Sequence, residues 1–116
     1  MNKREIGSRY EAMAVSYMQE QGMQILRRNY YCRQGEIDII AREEPYLLFV
    51  EVKYRRNLCN GHPAEAITAA KQNRIFQAAR YYLYEQQLPE DTPVRFDVVS
   101  ILGSELQYIR DAFWQG

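Results

Sequence analysis

The chain has 116 residues, enough for one domain with a core of its own. Hydrophobic residues make up 47% and charged residues 26%, close to globular averages, which excludes a disordered, collagenous or coiled-coil chain. Fifteen basic and fifteen acidic residues cancel, so net charge alone points to no partner.

No apolar run approaches the roughly 18 residues a membrane span needs. The strongest, Tyr46 to Val50, stops at Glu51. Met1-Asn2-Lys3-Arg4-Glu5 lacks the apolar centre of a signal peptide. The sequence therefore predicts a single cytoplasmic domain over residues 1–116, with no membrane partner.

The first predicted element is a helix from about Ile6 to Gln21. Ile6, Tyr10, Met13, Ala14, Tyr17 and Met18 form one apolar stripe at helical spacing, and Gly22 is a natural stop. Met23 to Tyr31 reads as a strand, followed by a turn at Arg33-Gln34-Gly35. Glu36 to Ala41 is a second strand, Arg42 to Pro45 a second turn, and Tyr46 to Tyr54 a third strand. Turns this short make consecutive strands antiparallel neighbours.

Asn57 to Pro63 reads as a loop. A long helical segment follows from about Ala64 to Gln87, with a break expected near Thr68, a residue that favours helix starts. Ile75, Phe76, Ala79, Tyr82 and Leu83 mark its buried face. After a loop at Leu88 to Pro93 come a strand at Val94 to Leu102 and a short last one at Leu106 to Ile109. The long helix between the third and fourth strands permits a parallel crossover. The expected fold is thus α/β, a central mixed sheet of about five strands flanked by helices.

Cys32 and Cys59 have no CxxC spacing, and His62 is the only histidine. These read as reduced thiols and a loop residue, and they leave little for a zinc site or a Ser-His hydrolase. Metal chemistry, if present, points to carboxylate oxygens. Charge is uneven along the chain. Residues 36–52 carry five acids against one base, whereas residues 53–80 carry six bases against one acid. Such asymmetry favours a polyanion partner only if the bases converge in space.

The third strand carries apolar residues on both faces, so it reads as central and covered. Leu47 and Phe49 share one face with Glu51 and Lys53, while Leu48, Val50 and Val52 point the other way. Glu51 and Lys53 would lie about 6–7 Å apart along the strand. Asp38 stands between isoleucines in the neighbouring strand. An unpaired buried charge costs several kcal/mol, so something must compensate. Either Lys53 pairs with Asp38 or Glu51, or the two acids converge on a divalent cation, with Lys53 facing a reacting phosphate and the Val52 carbonyl as a further ligand.

These residues resemble the PD-(D/E)xK nuclease signature. More closely, Gly7-x-x-x-Glu11-x-x-Ala14, Arg28-Asn29-Tyr30, Gly35-Glu36-Ile37-Asp38-Ile39-Ile40, Phe49-Val50-Glu51-Val52-Lys53-x-Arg55, Lys71 and Arg95-Phe96-Asp97-Val98-Val99 resemble the YraN family. That family of small bacterial proteins is grouped with restriction-endonuclease-like folds and archaeal Holliday junction resolvases. The resemblance spans nearly the whole chain. It implies a restriction-endonuclease-like domain in which Asp38 and Glu51 are the metal-binding acids, Lys53 the catalytic lysine and Glu11 a helix-borne acid completing the site. One departure is Ile37, where the signature has proline.

The resemblance also implies Mg²⁺ or Mn²⁺ as cofactor and nucleic acid, most readily branched DNA, as partner. Enzymes of this kind usually act as homodimers. Arg55, Arg56, Lys71 and Arg74 are the residues expected to meet a nucleic-acid backbone. Tyr30, Tyr31 and Tyr54 are candidates to stack on bases, although tyrosines are more often core residues. Asp97 reads as structural, paired with an arginine. The expected activity is metal-dependent phosphodiester hydrolysis. The competing readings are a nucleic-acid-binding module that does no chemistry and a scaffold that pairs with another protein.

Overall fold

The computed structural model describes residues 3–55 and 67–114. Its elements are α1 (Lys3–Glu20), β1 (Gln24–Cys32), β2 (Gly35–Glu43), β3 (Tyr46–Arg55), α2 (Ala69–Glu85), β4 (Val94–Leu102) and β5 (Glu105–Phe113). The five strands form one sheet in the order β1-β2-β3-β4-β5. β1, β2 and β3 are an antiparallel meander, β3 and β4 run parallel, and β5 returns antiparallel. The fold is the expected α/β class, with a mixed sheet and a helix on each face.

Alternation along β3 divides the interior into two cores. Leu47 and Phe49 pack beneath α2 with Ile75, Ala78, Ala79 and Tyr82. Leu48 and Val50 pack beneath α1 with Ala14 and Met18. A strand covered on both faces must be apolar on both, and β3 lies at the centre of the sheet for that reason. No helix among the described residues is long and apolar enough to cross a membrane.

Several boundaries differ from the sequence reading, among them the end of β2, which runs on through Arg42 and Glu43 where a turn was expected. α2 begins at Ala69, because the Thr68 hydroxyl caps it by accepting the Lys71 N–H at 3.1 Å. Ile67 and Thr68 are therefore outside the helix. β5 extends over nine residues instead of four. Arg110 and Asp111 disguise it, since they occupy an irregularity where Phe96 pairs Phe113 but Val98 pairs Ile109. The Asn57 to Pro63 loop, the helix start at Ala64, Arg56, Cys59 and His62 lie outside the described residues.

Candidate active site

The site forms where two neighbouring strands part. β2 and β3 pair from Glu43↔Tyr46 to Ile39↔Val50, and there the ladder stops, while β3 stays paired with β4 as far as Arg55↔Leu102. Val52 N–H turns to the Asp38 carboxylate instead, donating to Oδ2 at 2.9 Å. On the other side of β2, Arg28 pairs Ile39 and Tyr30 pairs Ile37, with Asn29 between them at a left-handed φ of 53°. Asparagine tolerates that conformation better than most residues. The kink accompanies a change of face. Ile37 packs in the α2 core and Ile39 in the α1 core, so the alternation inverts across Asp38.

Glu51 is only 4% exposed and points to the α2 side of the sheet. Its Oε1 lies 2.5 Å from Lys71 Nζ on α2 and 3.8 Å from Lys53 Nζ. One of the two sequence readings paired Lys53 with Asp38 or Glu51. The closer cation is Lys71, supplied by the first turn of α2. Thr68 helps to position it by fixing where that helix begins.

Asp38 is pushed up to about 7, first by burial and then by the negative charge of Glu51; the Val52 N–H pulls the other way. Glu11, on α1, is also raised, by burial and then by Asp38, with Arg28 partly offsetting them. Its Oε1 is buried and has no hydrogen-bond partner among the described residues. Lys53 is lowered by burial and by the neighbouring Lys71, against the pull of Glu51 and Asp38. Burial also works to lower Lys71, yet its contact with Glu51 leaves it raised. Glu11, Asp38, Glu51, Lys53 and Lys71 thus act on one another directly or through a shared neighbour.

Other expected residues lie further out. Arg74 is exposed on α2, one turn beyond Lys71. Arg55 is half-buried at the end of β3, and its carbonyl accepts the Gly103 N–H at 3.2 Å. Tyr30 is core: it is 1% exposed, and its hydroxyl donates to Glu85 at 3.2 Å. Tyr54 stacks on Tyr10 with ring centroids 4.0 Å apart. Tyr31 is 66% exposed.

Asp97 forms a second, separate acidic centre and is fully buried. It accepts from Arg95 Nε and Nη2 (2.9 Å each), Tyr108 Oη (2.5 Å) and the Asp111 N–H (2.8 Å). The last donor comes from the irregularity in β5, where Asp111 has φ 53°. Arg95 also reaches Glu43 at 3.0 Å, and Arg110 binds Glu43 from outside. This is the arginine pairing expected of Asp97.

Among the described residues, no three His, Cys, Asp or Glu side chains stand in a ready-made metal cage. Mg²⁺ does not require one, since it commonly binds one or two carboxylates and completes its shell with water and substrate phosphate. The oxygen donors at the fork, the orphaned Glu11 oxygen and the crowding of Asp38 against Glu51 fit a hard cation in that manner.

The model of the uncharacterised protein family UPF0102 matches residues 10–101. A UPF0102 protein of Lachnoclostridium phytofermentans is 58% identical over 113 residues, covering 97% of this chain and 96% of its own length. One from Caldicellulosiruptor saccharolyticus is 46% identical, covering 97% and 100%. One from Vibrio parahaemolyticus is 38% identical, covering 99% and 97%. The matched span includes both acidic centres up to β4, and the chain belongs to the UPF0102, or YraN, family.

Proposed function

We propose that this protein is a metal-dependent nuclease that hydrolyses phosphodiester bonds in nucleic acid, with branched DNA as its first candidate substrate. The observation that carries the reading is the gathering of Glu11, Asp38 and Glu51 with Lys53 and Lys71 at the fork between β2 and β3. Burying several carboxylates together is unfavourable unless a cation answers them. A fold selected for stability alone would replace them with apolar residues at little cost.

Asp38, Glu51 and the Val52 carbonyl would hold Mg²⁺ or Mn²⁺, with Glu11 on a water beside them. Such an ion, when bound, activates water and stabilises charge on a phosphate oxygen. The remaining work falls to side chains. Val52 N–H fixes the orientation of the Asp38 carboxylate. Lys53, lowered by its surroundings, can shed and regain a proton more readily than an ordinary lysine, and so can orient a water and exchange a proton with it. Lys71 and Arg74 supply positive charge toward a bound phosphate chain. Cutting two strands of a branch would call for a homodimer.

A panel of branched, flapped and single-stranded DNA and RNA substrates, with Mg²⁺ or Mn²⁺, tests the reading beside Lys53→Ala. The expected result is cleavage by the wild type and a loss of at least a hundredfold in the variant. Cleavage that persists in Lys53→Ala points to a contaminant and counts against the proposal. Binding without cleavage of any substrate replaces it with a nucleic-acid-binding module.

A further inference from the structure

Two ammonium groups crowd one carboxylate oxygen at the fork. Glu51 Oε1 has Lys71 Nζ at 2.5 Å and Lys53 Nζ at 3.8 Å. Lys53 rises from β3 itself, two residues along the strand from Glu51. Lys71 comes from α2, and it reaches Glu51 because that helix lies close against the β1–β2 hairpin. At Gly35 a Cβ would stand 3.1 Å from the Arg74 carbonyl oxygen and 3.3 Å from Arg74 Cβ, tighter than ordinary contact. The missing side chain leaves room for the first turns of the helix.

The place of Lys71 in its helix is unusual. The first turn of α2 holds this cation and no acid. The helix dipole favours the reverse arrangement, so α2 gains nothing of its own from a lysine there. The favourable contact lies across the gap, on Glu51.

The two ends of that contact are unequally fixed. Glu51 is buried, on a strand that stays paired with β4 as far as Arg55. The Lys71 side chain is 33% exposed. Its backbone is tied down, since its N–H donates to the Thr68 hydroxyl, but the four-carbon stem above can pivot. Arg74, three residues on and so on the same side of the helix, is exposed. Lys71 therefore stands between a buried acid and an outward-facing cation.

A hard cation at the fork needs the oxygens of Glu51, and a doubly charged ion repels an ammonium beside it. The ammonium then has to leave, and an anion outside the fork is what can receive it. We infer that Lys71 is an exchangeable counter-ion, which answers Glu51 in the free protein, gives way to a divalent cation, and passes to a phosphate of the nucleic acid beside Arg74. Cation and nucleic acid are thereby coupled through one side chain, each favouring the other. The inference rests on the nuclease reading for both the cation and the phosphate.

Calorimetric titration of Mn²⁺ into wild type, Lys71→Met, Lys71→Gln and Asp38→Asn tests the first half of the exchange. With its competitor gone, Lys71→Met should bind Mn²⁺ about tenfold more tightly than wild type. Lys71→Gln loses the charge but keeps an N–H donor. It should shift in the same direction, and it decides the matter if Lys71→Met does not fold. A merely structural ion pair predicts the opposite, because loosening α2 would weaken the site. Equal or weaker Mn²⁺ affinity in the folded variants overturns the exchange.

Nucleic-acid binding should move the other way. A flapped oligonucleotide is titrated in Ca²⁺ at several salt concentrations. The Lys71 variants should bind about tenfold more weakly, with a log–log salt slope smaller by about one. An unchanged slope removes the transfer to phosphate and overturns the exchange. Mn²⁺ binding that needs Asp38 but is indifferent to Lys71 sinks the exchange and leaves the nuclease standing. Both expected shifts, with no cleavage of any substrate in Mn²⁺, sink the nuclease and keep the exchange. No Mn²⁺ binding by any of the proteins sinks both.

Discussion

Asp97 and Asp38 are both acids on interior strands, and they differ in what faces them. Asp97 is met by Arg95, Tyr108 and the Asp111 N–H, and Arg95 is in turn held by Glu43. Asp38 receives the Val52 N–H and then meets two further acids, Glu51 and Glu11. One centre supplies donors to a charge. The other collects charges and, among the described residues, leaves a Glu11 oxygen without a donor. Burial alone therefore does not distinguish the two acids; the balance of donors around them does.

The same substitution at the two positions should act with opposite sign. Asp97→Asn turns an amide N–H toward the donors of Arg95 or Tyr108 and removes the charge that Arg95 answers. We expect a loss of about 3–5 kcal/mol in urea unfolding. A loss under about 1 kcal/mol would erase the contrast.

Asp38→Asn should instead stabilise the fold at neutral pH. The folded protein keeps a proton on Asp38 up to about pH 7, whereas the unfolded chain releases it near 3.8. The stabilising contribution of this group is therefore complete below about pH 4 and is lost as pH rises toward 7. Removing the charge should flatten that part of the profile and add about 2 kcal/mol at pH 8, discounted because the site reaches solvent. Mn²⁺ at a hundredfold excess over Kd should stabilise wild type by about 2.7 kcal/mol, read as a raised Tm, and leave the Tm of Asp38→Asn unmoved. An equal rise in both proteins would count against a cation at the fork.

Smaller effects sharpen the picture. Tyr108→Phe removes one donor to Asp97 and keeps the ring that stacks on Tyr17, so about 1 kcal/mol should be lost in thermal unfolding. Arg110→Ala removes the outermost, exposed cation on Glu43. A change of about 0.5 kcal/mol or less is expected, fading further in high salt.

Much of the framework was legible in residue order. Apolar residues on both faces of Tyr46 to Val50 marked a central strand, and the turns read at Arg33 to Gly35 and at Arg42 to Pro45 marked the meander, although β2 in fact runs on through Arg42 and Glu43. The oddity of Asp38, Glu51 and Lys53 in apolar strands was legible too, because charge between isoleucines and valines is costly. The close contact of Lys71 with Glu51 was not. It depends on where α2 docks, which no local pattern encodes. Nor was the left-handed Asn29, whose only trace is an asparagine in an otherwise strand-forming run. The length of β5 was hidden because its irregularity places polar residues out of step with alternation.

Position 35 has a consequence beyond its own hairpin. A single methyl group there would act as a shim, tipping the helix outward by a few tenths of an ångström and lifting its lysine off the glutamate below. The reach of that ammonium is thus tuned by an atom that the natural chain leaves out, which makes Gly35→Ala a way to adjust the centre without touching any group that bears charge.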